Sequence, residues 1–197
     1  MHITGVLLAA GRAQRFGGDK LLARFSSGPN AGDAVGVVAY RNLRAALDDV
    51  IVTVRPGDEM LRRTFEAMHA RVVVAERADE GLGASIAAAV EASRAADVYV
   101  LALADMPFIQ PSTIARVARE LATGASIVAP RYEGRRGHPV GFARAHRGAL
   151  TELAGDEGAR SIIERQPQAL ALVDVDDAGI LRDIDVPESG LILHRAS

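Results

Sequence analysis

Two short stretches, each at the end of an apolar run, carry side chains suited to phosphate chemistry. The first is Leu8-Ala9-Ala10-Gly11-Arg12-Ala13-Gln14-Arg15-Phe16-Gly17-Gly18-Asp19-Lys20. Small residues at Ala9, Ala10 and Gly11 let a ligand approach the backbone, whose N–H groups can bind anionic oxygen. Arg12, Arg15 and Lys20 add cations to the same loop, a combination that suits a polyphosphate. Arginine supplies all but one of the 23 basic residues, and the exception is Lys20. A solitary lysine in such a chain points to a need for a compact ammonium charge rather than a guanidinium fork. Chance survival of one lysine, and a merely solvated glycine- and arginine-rich loop, are the plain alternatives. The loop is not a Walker A motif, because Asp19 precedes Lys20 and Leu21 follows it, and it lacks the Gly-x-Gly-x-x-Gly of dinucleotide-binding enzymes.

The second stretch is Leu101-Ala102-Leu103-Ala104-Asp105-Met106-Pro107. A carboxylate directly after a buried apolar run is expected to be poorly placed for a salt bridge. It is well placed at the active edge of a sheet. Mg²⁺ is commonly held by one or two carboxylates plus substrate phosphates, which makes Asp105 a natural ligand. A turn-forming or capping aspartate is the alternative for an isolated Asp-x-Pro. Asp185, in Asp183-Ile184-Asp185-Val186-Pro187-Glu188, is a second acid in a similar setting. Two acids from such distant segments could clamp a metal that bridges a triphosphate.

The elements that must position these groups are legible from periodicity. Apolar runs over 3–8, 50–54, 72–75, 98–103 and 126–129 read as strands buried on both faces. Helical periodicity covers 34–47, 58–69, 84–95 and 112–123, the last entered through Pro111 with Gln110 or Ser112 at its start. Such alternation predicts βαβ units, right-handed crossovers and a mainly parallel sheet. In sheets of that kind ligands bind beyond the carboxyl ends of the strands, where both stretches fall. After Pro130 the rhythm changes. A polar turn over 131–137 precedes a short strand over 139–143, helices over 147–153 and 158–165, and a last strand over 170–175. The fold class expected is a Rossmann-like three-layer α/β sandwich, as one domain over 1–197.

Composition narrows the function. The 197 residues are 49% hydrophobic and 24% charged, enough apolar surface for one core. A net charge of −2 argues against a nucleic-acid partner. The absence of cysteine excludes disulfide scaffolds, thiolate metal sites and cysteine nucleophiles. No apolar run approaches the ~18 residues of a membrane span, and the N-terminus lacks the charged flank and cleavage site of a secretory signal. A soluble, cytoplasmic protein is expected.

The first stretch, as Leu-Ala-Ala-Gly-x-x-x-Arg-Phe-Gly-x-x-Lys-Leu-Leu, resembles the signature loop of the molybdenum-cofactor nucleotidyltransferases, the MobA-like family. Asp105-Met106-Pro107 looks like their metal-binding Asp-Met-Pro, and Glu80-Gly81-Leu82-Gly83-Ala84-Ser85 is similar to their Gly-Met-x-x-Ser segment. Gly137-His138-Pro139-Val140, Gly155-Asp156-Glu157-Gly158-Ala159-Arg160 and the segment around Asp185 follow in the family's order. The match spans nearly the whole chain. It is nearest to the cytidylyltransferase branch, whose first loop reads Ala-Ala-Gly where guanylyltransferases read Ala-Gly-Gly. One methyl group discriminates by only ~1–3 kcal/mol, so Ala10 alone does not choose the base.

The resemblance implies a nucleotide-diphospho-sugar transferase type of fold and transfer of CMP from CTP to the terminal phosphate of molybdopterin, with loss of pyrophosphate. It implies Mg²⁺ on Asp105 and Asp185, and Arg15 and Lys20 stabilising charge on the phosphates. Leu8, Ala9, Ala10, Gly11 and Arg12 would hold the nucleotide, and Gly81 and Ser85 would face base and ribose, helix entry being their alternative role. His138 would line the pterin side and Asp156 would contact substrate; a turn histidine and a helix cap at Asp156 are the alternatives. The product would pass to a molybdoenzyme or its maturation chaperone. GTP as donor, another phosphorylated acceptor, a non-catalytic cofactor-binding protein and a pyridine-nucleotide oxidoreductase are the competing classes. The chain departs from the family at 25–33, which looks longer and looser, and at Ser189-Gly190, where the closing helix looks frayed or absent.

Overall fold

Strand and helix follow the burial pattern of the sequence closely. The computed structural model describes residues 1–11, 20–156 and 158–184, and the backbone of 191–192. In chain order the elements are β1 (Ile3–Leu8), β2 (Arg24–Phe25), α1 (Val35–Ala46), β3 (Asp49–Val54), α2 (Glu59–Glu66), β4 (Arg71–Val74), α3 (Leu82–Ala92) and β5 (Val98–Leu103). They continue with α4 (Pro111–Ala122), β6 (Ile127–Tyr132), β7 (Arg135–Arg136), β8 (Val140–Ala143), α5 (Arg147–Thr151), α6 (Arg160–Arg165), β9 (Leu170–Asp174) and β10 (Leu191–Ile192).

The main sheet runs β4-β3-β1-β5-β8-β6-β7, with β9 also on β6. β4, β3, β1 and β5 are mutually parallel, β8 is antiparallel to both β5 and β6, and β9 is parallel to β6. The period-2 alternation of a strand buried on both faces is visible in β5. Val98, Val100 and Ala102 pack with α1, α2 and α4, whereas Tyr99 and Leu101 pack with α3, α5 and α6. The expected three-layer sandwich is therefore the fold that forms. Fully burying one side chain such as Leu7 or Phe65 contributes about 1.5–3 kcal/mol.

Departures from expectation sit in the connections. The polar stretch after Pro130 is a hairpin rather than a plain turn: β6 and β7 are joined by Glu133 and Gly134, both at positive φ (47° and 77°). That is the geometry a two-residue hairpin loop requires. The 25–33 segment is not loose. Phe25 N–H donates to Asp33 O at 3.0 Å and Gly32 N–H donates to Phe25 O at 2.8 Å. The chain returns near its end as β10, which pairs antiparallel with β2.

The start of α4 is as expected, with Gln110 at the N-cap position and Pro111 first in the helix, but the Gln110 side chain makes no capping bond. Asp177, 3% exposed, accepts from Gln110 N–H at 2.9 Å and from Thr113 Oγ1 at 2.7 Å, while its other oxygen accepts from Gly179 N–H at 3.0 Å. Among the described residues no helix is long and apolar enough to cross a membrane.

Candidate active site

The carboxyl ends of β1, β3 and β5 open onto a cleft of about 940 Å³. Leu8, Ala9, Gly11, Lys20 and Asp105 line it, bringing the two stretches singled out above together. β1 lies between β3 and β5, so Leu8 and Ala9 at its end are flanked by the ends of both neighbours. Register seals the floor: Ala9 N–H donates to Thr53 O at 3.0 Å and Ala104 N–H donates to Leu8 O at 3.1 Å. The Ala9 amide is thus engaged and cannot serve an anion, contrary to expectation. Ala10 is buried, while a methyl group at Gly11 would meet nothing within 4 Å. Among the described residues nothing demands glycine there, and Gly11 lines the cleft.

Lys20 begins a 3-10 turn, Lys20–Leu22. Its Nζ donates to Asp105 Oδ2 at 2.7 Å, across 85 residues of sequence. Both side chains are largely shielded, at 12% and 24% exposure. The expectation that Asp105 is poorly placed for a salt bridge is overturned, because the 3-10 turn that begins at Lys20 brings the ammonium to the end of β5. Asp105 also turns the chain, with Met106 N–H bonded to Leu103 O at 3.2 Å. Its own carbonyl accepts from Ile184 N–H at 2.9 Å. The Asp183-Ile184 segment therefore meets Asp105, although Asp185 itself, like Arg12 and Arg15, lies outside the described residues.

His138 occupies the neighbouring corner. Its N–H donates to Ile180 O at 3.0 Å and it precedes Pro139 through a cis peptide. Nδ1 is buried without a hydrogen-bond partner among the described residues. Burial lowers the His138 pKa from its ordinary value; the charges of Asp105 and Asp183 oppose this and Arg136 reinforces it. The imidazole is accordingly neutral at neutral pH and lies within the field of Asp105.

Gly81 and Ser85 are not on the cleft. Gly81 has φ 122°, and a Cβ there would sit 2.4 Å from Gly155 O and 2.5 Å from Asp156 Oδ1. Ser85 is 2% exposed within α3. Gly81 is half-buried and packs on the 155–156 turn, and Ser85 lies inside the α3 packing. Asp156 caps no helix either: α6 starts at Arg160 with Ala159 before it. Instead the 155–156 turn packs on the start of α3, with Gly83 N–H bonded to Gly155 O at 2.9 Å.

The opposite wall, from Arg55, Pro56, Gly57 and Asp58 after β3, was not anticipated. Arg55 is paired with Asp79 at 2.8 Å. The rule that ligands lie beyond strand ends applies equally to β3 and would have found this wall.

The donor set suits a hard dication. Asp105 offers carboxylate oxygen at the cleft, and among the described residues no cluster of three or more His, Cys, Asp or Glu could hold a metal alone. Such a site fits an ion completed by substrate phosphates rather than a closed protein cage.

A profile of the MobA-like NTP transferase domain matches residues 5–170. The chain is 31% identical over 206 residues to the purine catabolism protein PucB of Bacillus subtilis (strain 168), covering 99% of this chain and 97% of that protein. It is 28% identical to nicotine blue oxidoreductase of Paenarthrobacter nicotinovorans, over 94% and 93% of the two chains. A "Probable molybdenum cofactor guanylyltransferase" of Geobacillus sp. (strain WCH70) is 28% identical over 59% of this chain and 57% of its own. Among solved structures, Rv0371c from Mycobacterium tuberculosis H37Rv superposes with a TM-score of 0.79 at 30% identity, over 94% and 93% of the chains. Its complex with manganese gives 0.75 at 27% identity, over 95% and 91%.

Proposed function

The chain belongs to the MobA-like NTP transferase family, and from that premise we propose that it transfers CMP from CTP to the terminal phosphate of molybdopterin and releases pyrophosphate. The observation that carries this is the Lys20–Asp105 contact of 2.7 Å at a cleft large enough for a nucleotide. An ammonium and a carboxylate at adjoining strand ends suit a triphosphate and its counter-ion, and serve no apolar ligand. Ala9-Ala10-Gly11 and Gly137-His138-Pro139 favour CTP as the donor.

In this scheme an oxygen of the acceptor phosphate attacks the α-phosphorus of CTP. The bond from that phosphorus to the bridging oxygen breaks, and pyrophosphate leaves opposite. The nucleophile is already anionic, so no general base is needed, and positioning and charge neutralisation dominate. Lys20 moves from Asp105 to the phosphates and stabilises charge on the departing pyrophosphate. Gly11 leaves room for the triphosphate, Arg12 and Arg15 add positive charge, and neutral His138 faces the acceptor side. Asp105, with Asp185, would hold Mg²⁺, which supplies Lewis-acid neutralisation of phosphate oxygens. The manganese complex of Rv0371c supports a divalent ion in this fold.

Pyrophosphate release from each of the four NTPs with purified molybdopterin tests the proposal. Release driven by CTP supports it. Release driven by GTP favours the guanylyl branch, to which the Geobacillus relative is assigned by name. The nicotine blue oxidoreductase relative favours a redox reading. NADH or NADPH oxidation in place of pyrophosphate release would establish that one.

A further inference from the structure

We infer that Lys20 and the divalent cation compete at Asp105, so that the cation binds tightly only together with a nucleoside triphosphate. The inference rests on the assignment of the cation to Asp105 made above. Without nucleotide, the Asp105 carboxylate already has a counter-charge: Lys20 Nζ lies 2.7 Å from Oδ2, and neither side chain is more than a quarter exposed. Mg²⁺ binds carboxylate oxygen at about 2.0–2.1 Å, so an ion on either Asp105 oxygen would sit within about 7 Å of that ammonium. That is inside the ~8 Å screening length at physiological ionic strength, and the cleft walls weaken screening further. Dication and ammonium therefore repel across one shared carboxylate. Among the described residues no group of three or more His, Cys, Asp or Glu offers a ready-made cage for the ion.

A triphosphate removes the conflict. Its oxygens give Lys20 a new partner, and they supply the remaining ligands an octahedral ion requires. The lone lysine now has a physical reason. An ammonium makes a single-point contact on a flexible stem and can leave Asp105 when phosphate arrives. A guanidinium would grip the carboxylate through two parallel bonds. Lys20 is thereby a residue that sets the order of binding as well as a phosphate contact.

The test is a Mn²⁺ titration of the full chain without nucleotide, read by the electron paramagnetic resonance signal of free Mn²⁺. Wild type should bind Mn²⁺ weakly. Lys20→Met, or Lys20→Gln where Lys20→Met melts early, should bind one Mn²⁺ at least about tenfold more tightly, since a repelling unit charge has gone. Adding Asp105→Asn should abolish that gain, and Lys20→Arg should bind no more tightly than wild type. Wild-type affinity equal to that of both uncharged variants overturns the inference. A parallel titration with Mn²⁺ and CTP separates the two claims. If Asp105→Asn leaves that ternary binding intact, the assignment of the ion to Asp105 fails. If Asp105→Asn destroys it while Lys20→Met gains nothing, only the competition fails.

Discussion

Ile184 donates its backbone N–H to the carbonyl of Asp105 at 2.9 Å, joining residues 79 apart in sequence. The bond fastens the 178–184 segment to the end of β5. Asp177 anchors the same segment from its other side through bonds to Gln110, Thr113 and Gly179.

Asp177→Ala leaves those donors without a partner in the core and should destabilise the protein by about 2–4 kcal/mol. Asp177→Asn keeps an acceptor oxygen and should lose less. Urea unfolding of the two variants measures the difference. Equal stability of Asp177→Ala and wild type would show that the anchor does nothing.

Gly81→Ala combines a positive-φ backbone with a Cβ 2.4 Å from Gly155 O. About 1–3 kcal/mol of strain is expected from the backbone alone, with more from the displaced 155–156 turn. The melting temperature should fall and nucleotide affinity should fall less, because the residue lies outside the cleft.

Glu133 holds φ 47° in the β6–β7 hairpin, an uncommon value for its type. Glu133→Asn places Asn-Gly in that turn and should raise stability by about 0.5–1 kcal/mol, read as a higher urea midpoint with an unchanged slope.

Acid should weaken the fold through His138 and His146. Burial lowers the pKa of both His138 and His146. The unfolded chain therefore takes up protons first as pH falls through the ordinary histidine value, near 6.5. Stability contributed by the neutral rings is complete above that value and is lost toward each lower folded-state pKa. Urea midpoints should drop between pH 7 and pH 5, and the drop should shrink in a His138→Asn/His146→Asn double variant. An unaltered slope there would contradict this origin.

Strands and helices were legible because their signals are local. The run over 98–103 matches β5 to the residue, and predicted helix ends lie within about three residues of those observed. Asp105 and Lys20 were legible as candidates because strand ends mark sites. Their direct contact was not, since nothing in either stretch specifies that Lys20 and Asp105, 85 residues apart, meet. The surroundings of Gly81 were not legible for the opposite reason. A glycine before a helix looks the same whether it admits a ligand or a neighbouring turn, and the Gly155 turn that fills the space lies 74 residues on. Arg55 and Asp79 were not legible, because a lone arginine after β3 and an aspartate in a short turn give no local signal of the pair they form.

Transfer of label from [α-³²P]CTP to molybdopterin, compared between wild type and Asp105→Ala, tests the central claim most directly. Labelled product from wild type, lost by at least about three orders of magnitude in Asp105→Ala, is the outcome expected when charge neutralisation carries the reaction. No transfer by wild type, or near-normal transfer by Asp105→Ala, would contradict it.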